Sequence, residues 1–183
     1  MVFSASAAAE IQLKPFLGVT FGGDTTFVDP DAVAGDATFT VGVGGLWLGE
    51  IFGVEGDLGH TSGFFTGSHL VPDSAVTTFT GNVVVAVPRR LARYTLRPYA
   101  VAGAGVVRTH IDYANGALPS VANTLAVIDI GGGATGFLKE NIGVNFDIRH
   151  FGSVGGKDRM EGNSIGPDQI SFWRLTVALV IRF

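Results

Sequence analysis

From Glu10 onward, apolar and polar positions alternate with a period of two, in stretches of roughly ten residues separated by segments rich in Gly, Asp, Pro and Ser. In residues 11–22 the odd positions read Ile11, Leu13, Pro15, Leu17, Val19 and Phe21, against Gln12, Lys14, Phe16, Gly18, Thr20 and Gly22. Residues 37–48 set Phe39, Val41 and Val43 against Thr38, Thr40, Gly42 and Gly44. A third stretch opposes Phe52, Val54 and Leu58 to Glu55 and Asp57, and a fourth opposes Phe79, Val83, Val85 and Val87 to Thr78, Thr80 and Asn82. Residues 97–112 form a fifth, in which alanine and glycine blur the two faces. Around Ile128 and Ile130 the sixth turns Asp129 the other way, and the seventh opposes Val144, Phe146 and Ile148 to Asn145, Asp147 and Arg149. The eighth, residues 170–183, carries Trp173, Leu175, Val177, Leu179, Ile181 and Phe183 on one face.

Eight strands with one apolar and one polar face predict an all-β chain, and their connections sort by length. The segments after strands one, three, five and seven (residues 23–35, 61–75, 113–122 and 152–167) are long, whereas those near Gly49-Glu50, at 89–96 and at 139–141 are mostly shorter. Alternation of long loops and short turns is what an up-and-down barrel in an outer membrane shows. Phe21, Phe39, Phe79 and Trp173 fall at the loop end of their strands, and Phe52, Tyr99 and Phe183 at the turn end, which predicts two aromatic girdles. At a rise of about 3.3 Å per residue and a 45° tilt, Trp173 and Phe183 bracket about 23 Å, near the height of an apolar membrane band.

Composition favours the same placement. Hydrophobic residues make up 46 % of the 183, which is high for a wetted domain. No run reaches the roughly 18 apolar residues that a membrane helix needs, leaving a closed barrel as the structure that satisfies its backbone in lipid. A net charge of −4 argues against nucleic acid as a partner, and the absence of cysteine excludes disulfides and thiolate metal sites. Ser4-Ala5-Ser6-Ala7-Ala8-Ala9 has the small residues of a secretory signal's end without its basic and apolar parts. Residues 1–9 are therefore set apart as a residual signal-like segment or an artificial addition, and 10–183 as one barrel domain.

The polar face predicts where the charges go. Lys14, Arg149 and Arg174 share it with Glu55, Asp57, Asp129 and Asp147, and an eight-stranded barrel is just wide enough for side chains to fill. Buried charges must pair, so these seven are expected to form a salt-bridge network that plugs the lumen. The competing reading is a narrow channel or proton path through them.

The last strand carries the most specific resemblance. Leu175, Val177, Leu179 and Ile181 alternate toward a C-terminal Phe183, similar to the signal by which insertion machinery recognises outer-membrane barrels. Segments 97–105 (RPYAVAGAG) and 142–149 (IGVNFDIR) are similar to stretches common in the same proteins. The chain thus resembles the small bacterial outer-membrane barrels of the outer membrane protein A-type, X-type and opacity-type. The resemblance implies an eight-stranded antiparallel transmembrane barrel with both termini periplasmic. Its surroundings would be outer-membrane lipid and lipopolysaccharide, with the insertion machinery and an extracellular partner at the loops as further contacts. No peptidoglycan-binding domain follows Phe183, so no cell-wall tether is carried over.

Other motifs weigh less. Residues 131–136 (GGGATG) satisfy G-x-G-x-x-G, but Phe137 to Asn141 reads as a turn into another strand and not as the helix that a dinucleotide site needs. Gly45-Leu46-Trp47 matches the G-x-W triplet of lipocalins at the wrong end of the wrong strand. His60-Thr61-Ser62 resembles the His-x-Ser arrangement of outer-membrane lipid A deacylases, yet no glutamate stands on the neighbouring strand and only Asp73, beside Ser74 in a loop, offers a carboxylate. Asp24, Asp29, Asp31 and Asp36 lack the spacing of a calcium loop and read as a solvated acidic segment. The expectation is a non-enzymatic barrel without cofactor or metal, whose loops serve envelope integrity, adhesion or partner binding. The alternatives are a lipid A-modifying enzyme and a narrow transporter.

Overall fold

The computed structural model describes residues 9–25, 37–63, 73–89, 91–92, 96–112, 121–154 and 170–183. Eight strands, β1 (Glu10–Thr25), β2 (Thr38–Leu48), β3 (Phe52–Ser62), β4 (Asp73–Ala86), β5 (Leu96–Asp112), β6 (Val121–Phe137), β7 (Ile142–Ser153) and β8 (Ile170–Arg182), follow one another around the sheet. Each pairs antiparallel with the next, and β8 returns to β1 to close the barrel. Closure removes the sheet edge, which alone makes a β structure tolerable in hydrocarbon.

Alternation sends the apolar residues outward. Leu17, Val54, Phe79, Ile130, Phe146 and Leu175 are exposed, while Gln12, Thr80, Asn82 and Thr176 between them are buried. Exposed apolar patches of this extent have no place on a wetted monomer and suit a wall that faces lipid.

Two residues shape the seam between β1 and β8. Pro15 lies in a gap of that ladder, between Leu13↔Ile181 and Phe16↔Ala178, where its missing N–H is tolerated. Nearer the loops the register slips between Phe21 and Asp24, and Gly22 inside the slip has φ 61°, a conformation that only glycine adopts without strain. Gly22→Val is accordingly expected to loosen the seam and cost about 1–3 kcal/mol in urea unfolding of the vesicle-embedded barrel.

The strands run further than the alternation indicates. β3 ends at Ser62, β4 starts at Asp73 and β6 starts at Val121, so the connections expected at 61–75 and 113–122 are shorter, while β7 runs on to Ser153 and moves the one expected at 152–167 to 154–169. At the strand ends both faces carry polar residues, so the period-two signal fades while the ladder continues. Asp73 and Ser74, expected in a loop, are strand residues opposite Asp112 and Ile111. Residues 1–8 and Asp29, Asp31 and Asp36 lie outside the described residues.

One girdle assignment is corrected. Tyr99 points into the lumen, where its hydroxyl donates to Asp147 Oδ2 at 2.5 Å. A phenol with a buried carboxylate in reach gains more there than in the wall. Outside, the turn end carries Phe52, Phe183 and Trp47, the last 58 % exposed.

Candidate functional site: the charged lumen and its two ends

Lys14 on β1, Glu55 and Asp57 on β3, Asp129 on β6, Asp147 and Arg149 on β7 and Arg174 on β8 all point into the lumen, none more than 4 % exposed. Glu55 is the hub, paired with Lys14 and, at 2.7 Å, with Arg149. Arg149 also holds Asp147 through Nε (2.7 Å) and Nη2 (3.1 Å). Arg174 donates to Asp57 at 2.6 Å and to Thr78 Oγ1 at 3.2 Å. Its guanidinium lies between the rings of Phe16 (5.0 Å) and Phe151 (4.7 Å), so that two π-faces take the place of water. Apart from Arg149–Asp147, which lies within β7, these pairs run across the lumen from β3 to β1, β7 and β8, and they are not ladder neighbours.

Glycines in the wall give the long side chains room. A Cβ at Gly59 would stand 2.5 Å from Arg174 Nη1, one at Gly131 2.8 Å from Arg149 Cγ, and one at Gly133 2.7 Å from the Tyr99 hydroxyl. The G-x-G-x-x-G match at 131–136 is therefore strand β6 making way for Arg149 and Tyr99, with the turn 138–141 and strand β7 after it.

This central layer holds four carboxylates and three cations among the described residues, and Asp129 is its least engaged acid. Its Oδ2 accepts no hydrogen bond among the described residues and lies 3.8 Å from Arg149. The amide of Asn82 fits best with its oxygen accepting from Arg149 (2.8 Å), which turns its nitrogen toward Asp129 Oδ1 (3.0 Å). Asp129→Asn keeps that contact and removes the surplus charge. It is expected to leave the unfolding free energy within about 1 kcal/mol of the parent, and a larger loss would mean that Arg149 depends on this carboxylate.

Apolar and hydroxyl layers lie on either side of the charges. Toward the loops, Val76, Val107, Val127, Phe151, Ile170 and Phe172 form one buried cluster over β4 to β8. Over β1 to β3 a chain of hydroxyls continues it, Thr20 to Thr40 and Thr40 to Thr61 at 2.8 Å each. Toward the turns, Leu46, Leu48, Val84, Ala86 and Val101 form a second cluster, with Tyr99 packed against it. Below that cluster, Glu10 pairs with Arg89, Arg97 and Arg182. Arg97 also donates to the carbonyls of Val87 (3.0 Å), Gly49 (3.1 Å) and Glu50 (2.8 Å), which ties the β2–β3 turn and the end of β4 to the start of β1.

Alternation alone does not reveal these end structures. Phe151 and Phe172 face inward on strands whose outward faces are also apolar, and Glu10, Arg89, Arg97 and Arg182 lie where strands meet turns. Parity along β5 was the available signal, since Arg97, Tyr99 and Val101 fall on one side and Ala100 and Ala102 on the other.

His60 and Ser62 are both exposed on the outer face of β3. The partner of His60 is Thr77 on β4, whose Oγ1 lies 3.0 Å from Nδ1. A hydroxyl there can orient the ring but cannot stabilise an imidazolium as a carboxylate does. Leu175, Val177, Leu179 and Phe183 are exposed on the wall and Ile181 is half-buried. The amide of Phe183 donates to Ile11 O at 2.9 Å.

Among the described residues no group of three or more His, Cys, Asp or Glu side chains is placed to hold a metal ion. The fold is similar to that of the outer membrane protein OprG from Pseudomonas aeruginosa, with a TM-score of 0.66 at 12 % identity over 97 % of both chains. It is also similar to Ail, the attachment invasion locus protein of Yersinia pestis (TM-score 0.56, 12 % identity, 94 % of this chain and 99 % of that one). Ail has also been solved with the heparin analogue sucrose octasulfate. The outer membrane enzyme PagL aligns with a TM-score of 0.50 at 16 % identity, over 91 % of this chain and 97 % of that one. At such identities the likeness concerns the fold alone. No curated protein matches the sequence. The outer membrane protein beta-barrel domain family matches residues 1–183, and to that family of outer-membrane barrels the chain belongs.

Proposed function

We propose that this protein is a non-enzymatic outer-membrane barrel with a plugged lumen, whose rigid wall anchors loops for envelope integrity, adhesion or partner binding. The observation that carries the reading is the paired charge layer with packed clusters on both sides of it. An ion crossing the barrel would have to break into a network in which Glu55 is shared by Lys14 and Arg149 and Asp57 is held by Arg174, in a low-dielectric interior. Both termini would lie in the periplasm and the long connections outside, with Leu175, Val177, Leu179, Ile181 and Phe183 read by the insertion machinery.

Charge narrows the partner. The sequence from Asp24 to Asp36 holds four Asp and no cation, residues 113–120 are uncharged and follow Asp112, and 155–169 sets Asp158, Glu161 and Asp168 against Lys157 and Arg159. Such loops fit a cationic partner surface better than a sulfated sugar like the heparin analogue solved with Ail. Among the described residues the enzyme reading lacks its carboxylate, because the Thr77 hydroxyl is what meets His60 Nδ1.

Planar-bilayer recording is the test. The refolded barrel is expected to give no discrete single-channel steps, and steady unitary conductance would overturn the plugged lumen. Incubation with lipid A should release no acyl chain from the parent protein, and release that is lost in His60→Ala would establish the enzyme instead.

A further inference from the structure

The turn end of the barrel contains a cavity of about 450 Å³ that the lumen network does not use. Its floor is Glu10, already engaged by the guanidiniums of Arg97, Arg89 and Arg182. Lys139 lines the rim, and its ammonium has no ion-pair partner among the described residues. One carboxylate against three guanidiniums and an ammonium leaves surplus positive charge around a half-enclosed space, with only Glu140 as a further acid in the lining. Arg90 and Arg93 follow in the same β4–β5 connection. Four of the chain's twelve cations thus line this cavity, in a protein whose net charge is negative.

The rest of the lining is apolar: Ala92, Phe137 and Leu138, the last 76 % exposed. Arg182 stacks over the Phe137 ring at 4.3 Å, which holds its guanidinium at the boundary between the two kinds of surface. Beside the cavity Leu91 and Phe183 are also exposed, at the level where the aromatic girdle marks the membrane–water interface. A soluble anion would use the cations and leave the apolar rim wetted. A lipid uses both, with its phosphate among the guanidiniums and its acyl chains along Leu138 and the wall.

We propose that the turn-end cavity is a phosphate-binding site whose occupant is the headgroup of an anionic phospholipid in the adjoining leaflet. Arg89, Arg182 and Lys139 would supply the charge-assisted donors. Arg97 commits four of its five N–H donors to Glu10 and three carbonyls, and it fixes the floor.

Native mass spectrometry of the barrel released from neutral detergent micelles tests this with three probes: phosphatidylglycerol, phosphatidylcholine and inorganic phosphate. One phosphatidylglycerol should stay bound at concentrations where phosphatidylcholine does not, because the surplus cations repel choline. Arg89→Gln with Lys139→Gln should weaken retention about tenfold or more, whereas Arg108→Gln at the loop end should not. Both side chains are exposed in turns, and a heat-modifiable band shift confirms that the double variant is folded; if it is not, Lys139→Gln alone serves, with a smaller loss expected. Competition by inorganic phosphate would support recognition through the phosphate. Equal retention of the two lipids, or retention unchanged in the variants, overturns the proposal. Binding of inorganic phosphate without phosphatidylglycerol overturns the lipid as occupant.

Discussion

Arg149→Met should lower the unfolding free energy of the vesicle-embedded barrel by about 3–5 kcal/mol, read from urea titrations followed by tryptophan fluorescence. The guanidinium holds Glu55 and Asp147 at 2.7 Å each and faces Asp129 at 3.8 Å. Methionine fills similar volume, so packing changes little and the loss comes from carboxylates left without a counter-charge. Glu55 retains Lys14 and Asp147 retains the Tyr99 hydroxyl, but Asp129 would keep only the Asn82 amide. Adding Asp147→Asn to Arg149→Met should recover part of the loss, since it removes one of the stranded charges. A single-variant loss below about 1 kcal/mol would mean that water reaches the network and that the pairs behave like exposed ones.

Phe151→Ala is expected to cost about 3–5 kcal/mol by the same assay. Phe151 is fully buried, stacked on Phe172 at a 4.9 Å centroid distance and set under the Arg174 guanidinium. Its removal opens a void in the loop-end cluster and takes away one of the two rings that flank a buried cation. Phe79→Ala is the fitting comparison, because that ring is 57 % exposed on the outer wall and acyl chains can fill the space it leaves. If the two variants lost the same amount, the loop-end cluster would be no better packed than the lipid interface.

The architecture was legible because period-two alternation survives wherever one face meets lipid and the other the lumen, as in β2 and β8. It fails in two places for different reasons. Where the sequence carries polar and small residues on both parities, as from Asp73 to Ala75, the pattern shows no contrast and the strand looks like loop. At Phe151 and Phe172 the luminal face, in step with Arg149 and Arg174, turns apolar, so the contrast between the faces is lost and the cluster that lies over the charges was hidden. Tyr99 shows a third limit: as an aromatic near a strand end it belongs to a girdle, but Asp147 and Asn145 across the lumen draw it inward. The seven lumen charges could be read from parity, but their pairing could not, because Glu55 meets Arg149 and Asp57 meets Arg174 across four and five strands of sequence.

That cross-lumen pairing bears on how the barrel assembles. Hairpins such as β3–β4 or β7–β8 pair only their inner backbone edges and leave Glu55, Asp57 and Arg174 without their charged partners and Arg149 with Asp147 alone, until distant parts of the sheet curl together. A partly inserted sheet would carry these charges unmatched at the membrane, several kcal/mol each, and would gain nothing for the curved but open state. Closing the β1–β8 seam and neutralising the lumen are therefore one cooperative event. The charges act as a checksum on the topology: a sheet closed with a slipped register, or one strand short, would seal its backbone and still fail to balance its interior.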